Sequence, residues 1–150
     1  MRTSRTTTRP EGRRRLETRA RSRALQAVYA WDVRGARQDL PLIADHVWSD
    51  LAVAADERRR ASRLVDTLAA SRESVDRDLK EVTTNWRLER LGAIERCVLR
   101  LGAAELSLGD TPPRVAIHEA VRLAERYGSA SSAHFVNGVL DALARRMGRL

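Results

Sequence analysis

Apolar residues recur along this chain at intervals of three and four, and that recurrence predicts helices from one end to the other. Ala20, Ala24, Ala27, Val28 and Trp31 share one face of a helix expected from about Leu16 to Arg34, with its stop at Gly35. A second helix, about Leu40 to Leu51, carries Leu42, Ile43, His46, Val47 and Leu51 at overlapping helical spacings. A third is expected to start near Asp56, a suitable cap, with Ala61, Leu64, Val65 and Leu68 inward. A short fourth covers about Glu73 to Lys80, and Thr83-Thr84-Asn85 reads as a connection. The fifth, about Trp86 to Leu106, is the most regular: Leu91, Ile94, Val98 and Leu101 repeat every three or four residues, which suggests a central helix. Asp110-Thr111-Pro112-Pro113 ends it and opens a sixth, since Pro is accepted in a first helical turn. The sixth turns Ile117, Ala120, Val121 and Ala124 inward and stops at Gly128, expected as a left-handed C′ residue. Ser131 or Ser132 should cap the seventh, whose Val136, Val139, Leu140 and Leu143 face the core. With no β-alternation, the fold class is all-α: a single-domain bundle of about seven helices.

Charge adds a second feature. The 150 residues carry a net +8, and the first 23 hold nine Arg against Glu11 and Glu17. The rest is almost balanced, so the asymmetry points to a polyanionic partner. Residues 1–14 are expected to form a disordered Arg-rich arm, and residues 15–150 the folded domain. Lys80 is the only lysine; arginine grips phosphate through a planar fork that lysine lacks. The stretch Arg13–Trp31 therefore joins a cationic end to a helical anchor. A lone cysteine, Cys97, suits a reducing cytoplasm, and no apolar run is long enough to span a membrane. The charged N-terminus has no apolar segment behind it and is not expected to be a secretory signal.

Catalytic chemistry finds little purchase. His46, His118 and His134 are far apart, with no metal-ligand spacing among them, and no Gly-rich phosphate loop is present. Neither a cofactor nor a metal is expected, and the chain is not expected to be an enzyme. Cys97 reads as a buried structural thiol. Nucleic-acid binding fares better: Arg21, Arg23, Gln26 and Tyr29 combine guanidinium groups, an amide and a ring around one end of the first helix. Single-stranded RNA is recognised by this mixture, with phosphates met by Arg, base edges by amides and base faces by rings. Tyr29 serves equally well as a packing residue, and Trp31 belongs to the core. Asn137 and Gly138 fall mid-helix, where Gly suggests close helix approach and Asn a bond to a neighbouring loop.

The C-terminal third carries a more specific signal. Pro112-Pro113-Arg114-Val115-Ala116-Ile117-His118-Glu119-Ala120 runs on to Tyr127-Gly128, and Phe135-Val136-Asn137-Gly138-Val139-Leu140-Asp141 follows. Glu95-Arg96-Cys97-Val98-Leu99-Arg100-Leu101-Gly102 and the opening Arg21–Trp31 run complete the set. Together, over about residues 13–145, they resemble the NusB family of bacterial transcription antitermination factors.

That resemblance implies an all-helical, non-enzymatic protein that binds single-stranded boxA RNA of ribosomal-RNA leaders together with NusE, a small-subunit ribosomal protein. The pair would join the RNA polymerase elongation complex with NusA and NusG and suppress premature termination. Carried onto this chain, the RNA contacts match Arg19, Arg21, Gln26, Tyr29 and Phe135, with Arg23 beside them. His134 takes a position that is often Lys or Arg in the family, and His118 one that is usually Asn. Glu95 and Arg100 match the NusE-facing central helix. The alternatives are a protein-interaction bundle, with a homodimer left open, or an accessory domain acting in trans with an rRNA methyltransferase.

Overall fold

The computed structural model describes residues 10–83 and 85–150, so the expectation for residues 1–9 lies outside the described residues. Six α-helices follow one another: α1 (Pro10–Val33), α2 (Leu40–Asp50), α3 (Ala55–Val82), α4 (Ala93–Leu108), α5 (Pro113–Tyr127) and α6 (Ala130–Arg146). A single 3-10 turn, Leu88–Arg90, precedes α4, and no strand occurs among the described residues. The all-α class holds.

Helix α4 is the axis of the molecule. Every residue from Cys97 to Leu106 is buried, a pattern expected of a helix surrounded on all sides. It packs against α1, α3, α5 and α6, while α5 and α6 form a hairpin and α1 lies across α2, α3 and α4. Gly102 leaves room for the side chain of Leu140 on α6: a Cβ there would stand 2.7 Å from Leu140 Cδ1.

Several expectations change. Helix α1 starts at Pro10, so residues 10–14 extend the helix rather than belonging to a disordered arm. The expected third and fourth helices are one continuous helix, α3. Its apolar row lacks a member between Leu68 and Val75 because Arg72 stands there, its guanidinium 4.7 Å from the centroid of the Trp31 ring. Ser71 and Ser74 satisfy their hydroxyls within the helix by donating to the carbonyls of Thr67 and Ser71. The α3 N-cap is Ala54, and Asp56 sits inside the first turn. In α2 the buried residues are Leu40, Ile43, Ala44 and Trp48, whereas Leu42, His46 and the following Leu51 are exposed.

Helix ends differ too. Residues 86–92 are not the start of α4: Trp86 N–H donates to Thr83 O at 2.8 Å in a turn, and the 3-10 segment buries Leu88. Gly35, at φ +88°, stops α1 as expected, and Gly109, at φ +78°, closes α4. Gly128 instead has φ −118°, so it is not left-handed. Space is what requires glycine there, for a Cβ would meet Ala124 O at 2.8 Å and Ser132 Oγ at 2.9 Å. The α6 cap is Ser129, whose side chain accepts from Ser132 N–H at 3.1 Å. Asn137 and Gly138 are exposed, with nothing within 4 Å of a Cβ at Gly138, so the close contact expected there belongs to Gly102.

Candidate nucleic-acid interface

The N-terminal turns of α1 are the most cationic element. Arg13, Arg14 and Arg15 are exposed, and each following turn adds an arginine whose environment decides its role. Arg19 donates to Glu57 Oε1 at 2.6 Å with its side chain still half exposed. Arg23 donates to the other oxygen of Glu57 at 3.3 Å and to Gln26 Oε1 at 3.2 Å. Two guanidinium groups thus share one carboxylate, which leaves the surface net positive. Tyr29 is 42% exposed, so its ring is not sealed in the core.

Arg21 lies elsewhere. Its Nε and Nη2 grip both oxygens of Glu105 at 2.6–3.2 Å, Glu119 approaches to 3.9 Å, and the residue is buried at the floor of the helix packing. Burial opposes its charge, but the hydrogen bonds and field of Glu105 outweigh it and raise its pKa. Arg21 therefore fixes α1 to α4 and is not presented to RNA. Arg100 is the same kind of residue: it binds Asp32 at 3.0 Å and Asp76 at 2.9 Å, beside Trp31, and is buried. It does not reach the outer surface as a partner contact would require. Arg96 completes that network with two bonds to Asp32, which, against the cost of burial, raise its pKa. Glu95 remains partly accessible at the start of α4, accepting from Ser132 Oγ at 2.5 Å.

Grooves flank α1 on two sides. The one toward α3 and the end of α4, about 360 Å³, is lined by Arg13, Glu17, Arg21, Arg60, Arg63 and Asp110 among others. Its charges are internally paired, Arg60 with Glu17 at 2.8 Å and Arg63 with Asp110. The other, about 260 Å³ toward α5, is lined by Thr18 and Ser22 on α1 and by Glu119, Arg122, Glu125 and Arg126 on α5, with Arg122 3.7 Å from Glu119. Thr18 and Arg21 hold Glu119 between the two helices, which offsets its charge. Arg122 and Arg126 were not singled out by spacing alone; facing Thr18 and Ser22 requires the packing of α5 against α1.

At the far end, His134 is exposed and Phe135 half-buried on α6. The ring beside Phe135 is Trp86, at 5.9 Å between centroids and 71° between planes. Trp86 was expected to begin a core helix, yet it is 59% exposed. The signal was present: Trp86 stands five residues before Leu91, off the three-and-four row of Leu91, Ile94 and Val98.

Among the described residues no group of three His, Cys, Asp or Glu side chains could hold a metal ion. Burial pushes the Cys97 thiol up to about 12, against the pull of Arg100 and Arg96. No described helix is long and apolar enough to cross a membrane.

The NusB family profile matches residues 18–145. The chain belongs to the NusB family. A transcription antitermination protein NusB of Anaeromyxobacter sp. (strain Fw109-5) is 44% identical over 128 residues, covering 85% of this chain and 88% of the relative. The namesake from Sorangium cellulosum is 40% identical over 131 residues, covering 87% and 92%. Among solved structures, a NusB chain from the crystal structure of antitermination factors NusB and NusE in complex with dsRNA superposes with a TM-score of 0.79. It is 31% identical and covers 88% of this chain and 98% of that one. The T. maritima NusB structure gives 0.77 at 31% identity, covering 86% and 90%. This NusB-family chain therefore shares both sequence and fold with antitermination factors over nearly its whole length.

Proposed function

We propose that this NusB-family protein is a non-enzymatic transcription antitermination factor. It binds single-stranded boxA-type leader RNA together with the small-subunit ribosomal protein NusE, and joins the elongating RNA polymerase with NusA and NusG. The observation that carries this reading is the likeness, across 88% of the chain, to the NusB of a complex that contains NusE and RNA. The surface chemistry supports it. Exposed Arg13, Arg14 and Arg15, the half-exposed Arg19 and the Arg122–Arg126 wall suit phosphates, while Gln26, Tyr29 and Phe135 suit bases. Arg21 and Arg100 act from within as the buried ion pairs that hold this surface in place. The accessory role beside an rRNA methyltransferase finds no support in the relatives above, which are named antitermination proteins.

The test is co-purification of the cognate small-subunit ribosomal protein with and without boxA RNA. Cooperative recovery of all three is expected; recovery of neither partner overturns the reading. About four phosphate contacts, with a slope near −0.7 each on single strands, weaken RNA binding about sevenfold for each doubling of salt. Binding indifferent to both salt and RNA sequence contradicts this account.

A further inference from the structure

Three tryptophans occur in the chain, and two are core residues: Trp31 is 2% exposed and Trp48 is 1% exposed. Each donates its indole N–H to a backbone carbonyl, Trp31 to Gln38 and Trp48 to Arg23. Trp86 differs, with more than half of its surface in water. An exposed indole differs from a scattered Leu or Val in offering a flat π face on which another planar group can stack.

The segment that carries it is held firmly. Trp86 N–H closes a turn on Thr83 O, and two residues later Leu88 is buried in the core. Arg96 donates to Leu91 O at 2.8 Å, tying the end of the segment to α4. The edge-on contact with Phe135 braces the ring from one side, and an edge-to-face pair leaves ring surface uncovered. The residues that follow Trp86 are therefore tied to the core, while its indole is exposed.

Its surroundings select the occupant. Arg87 and Arg90 are exposed on the same short segment, against the one acidic residue Glu89, and His134 is exposed beside Phe135 in sequence. Exposed rings interleaved with guanidinium groups suit a planar, electron-rich group attached to a phosphate: an unpaired nucleobase. Gly138, one turn beyond His134, leaves open ground with nothing within 4 Å of a Cβ position.

We propose that Trp86, braced by Phe135, is a stacking platform for an unpaired base of the bound RNA, with Arg87 and Arg90 meeting the adjoining phosphates. The inference rests on the RNA-binding reading and assigns it a residue outside the α1 surface. Because Trp31 and Trp48 are buried, acrylamide quenching of intrinsic fluorescence reports chiefly on Trp86. A single-stranded boxA oligoribonucleotide should protect that fluorescence from acrylamide. Trp86→Ala should weaken RNA binding by tenfold or more while leaving the melting temperature and salt slope unchanged, and Trp86→Phe should restore most of the affinity.

The outcomes separate the two claims. If wild-type protein binds the RNA but Trp86 stays fully quenchable and Trp86→Ala binds normally, the platform is wrong and the RNA reading stands. If wild-type protein binds no RNA in any combination with the ribosomal protein, the RNA reading itself fails. A Trp86→Ala protein that keeps RNA but loses the ribosomal protein makes Trp86 a protein contact and overturns the platform. A fall in melting temperature that accounts for the lost affinity makes it a packing residue and overturns it too.

Discussion

Arginine side chains in this protein do two jobs, and the carboxylate within reach decides which. Arg21 and Arg19 are two residues apart on α1, yet Arg21 is sealed against Glu105 while Arg19 lies half in water against Glu57. Removing one member of a buried pair leaves the other as an uncompensated buried charge. Arg21→Ala should therefore cost about 3–5 kcal/mol of stability, measured by urea unfolding, whereas Arg19→Ala should cost about 0–1 kcal/mol. Equal effects would show that the Arg21 pair is not a structural lock. Cys97 offers a pH test. Its folded pKa is raised above the ordinary thiol value of 9.0, so the neutral form favours the fold. That contribution is complete below pH 9 and is lost as pH rises toward about 12. At neutral pH the thiol should react with a thiol reagent only at the rate of unfolding; rapid reaction in the native protein would contradict its burial.

Glycines on two helices give opposite predictions at the scale of the element. Gly102 lies where α4 meets α6, and an added methyl would collide with Leu140. Gly102→Ala should destabilise by about 1–3 kcal/mol through overpacking. Gly138 is also helical, but its Cβ position is open. Gly138→Ala should stabilise by about 0.5–1 kcal/mol, since it removes only the conformational cost of glycine. Thermal or urea unfolding of both variants checks the pair, and like signs would refute it. Most element boundaries follow from periodicity, because Leu64 to Leu68, Ile94 to Leu101 and Val136 to Leu143 repeat within the helix itself. The break expected in α3 does not occur, for a reason outside that helix: Arg72 occupies the apolar row and is accommodated by Trp31 of α1 and Ala36 O.

Across the whole molecule, the proposed RNA site would set phosphates in competition with the protein's own carboxylates for the α1 arginines. Glu57, on the first turn of α3, binds Arg19 and Arg23 and is itself buried. Glu57→Gln should free both guanidinium groups, strengthen RNA binding by about twofold to tenfold at low salt, and steepen its salt dependence. Filter binding across a salt series checks this; weaker binding would show that Glu57 orients the arginines for RNA instead. Arg122→Glu, across the α5 groove from Ser22, should weaken binding with little loss of stability, because its side chain is already 58% exposed.

Local information was enough for the helical class, a central helix expected at about Trp86 to Leu106 though not its start, the cationic opening of α1 and the family motifs. These depend on neighbours three or four residues away, or on contiguous strings. The arginines could not be sorted that way. Arg21, Arg96 and Arg100 have the same side chain as Arg15 and Arg19, and their burial follows from carboxylates up to 84 residues distant. Spacing set Trp86 off the apolar row, but only the packing of α6 brings Phe135 to its edge. Helix and charge were legible along the chain; which charges and rings face a partner was decided only when α3, α4, α5 and α6 closed around α1 and one another, because burial depends on the whole set of neighbours.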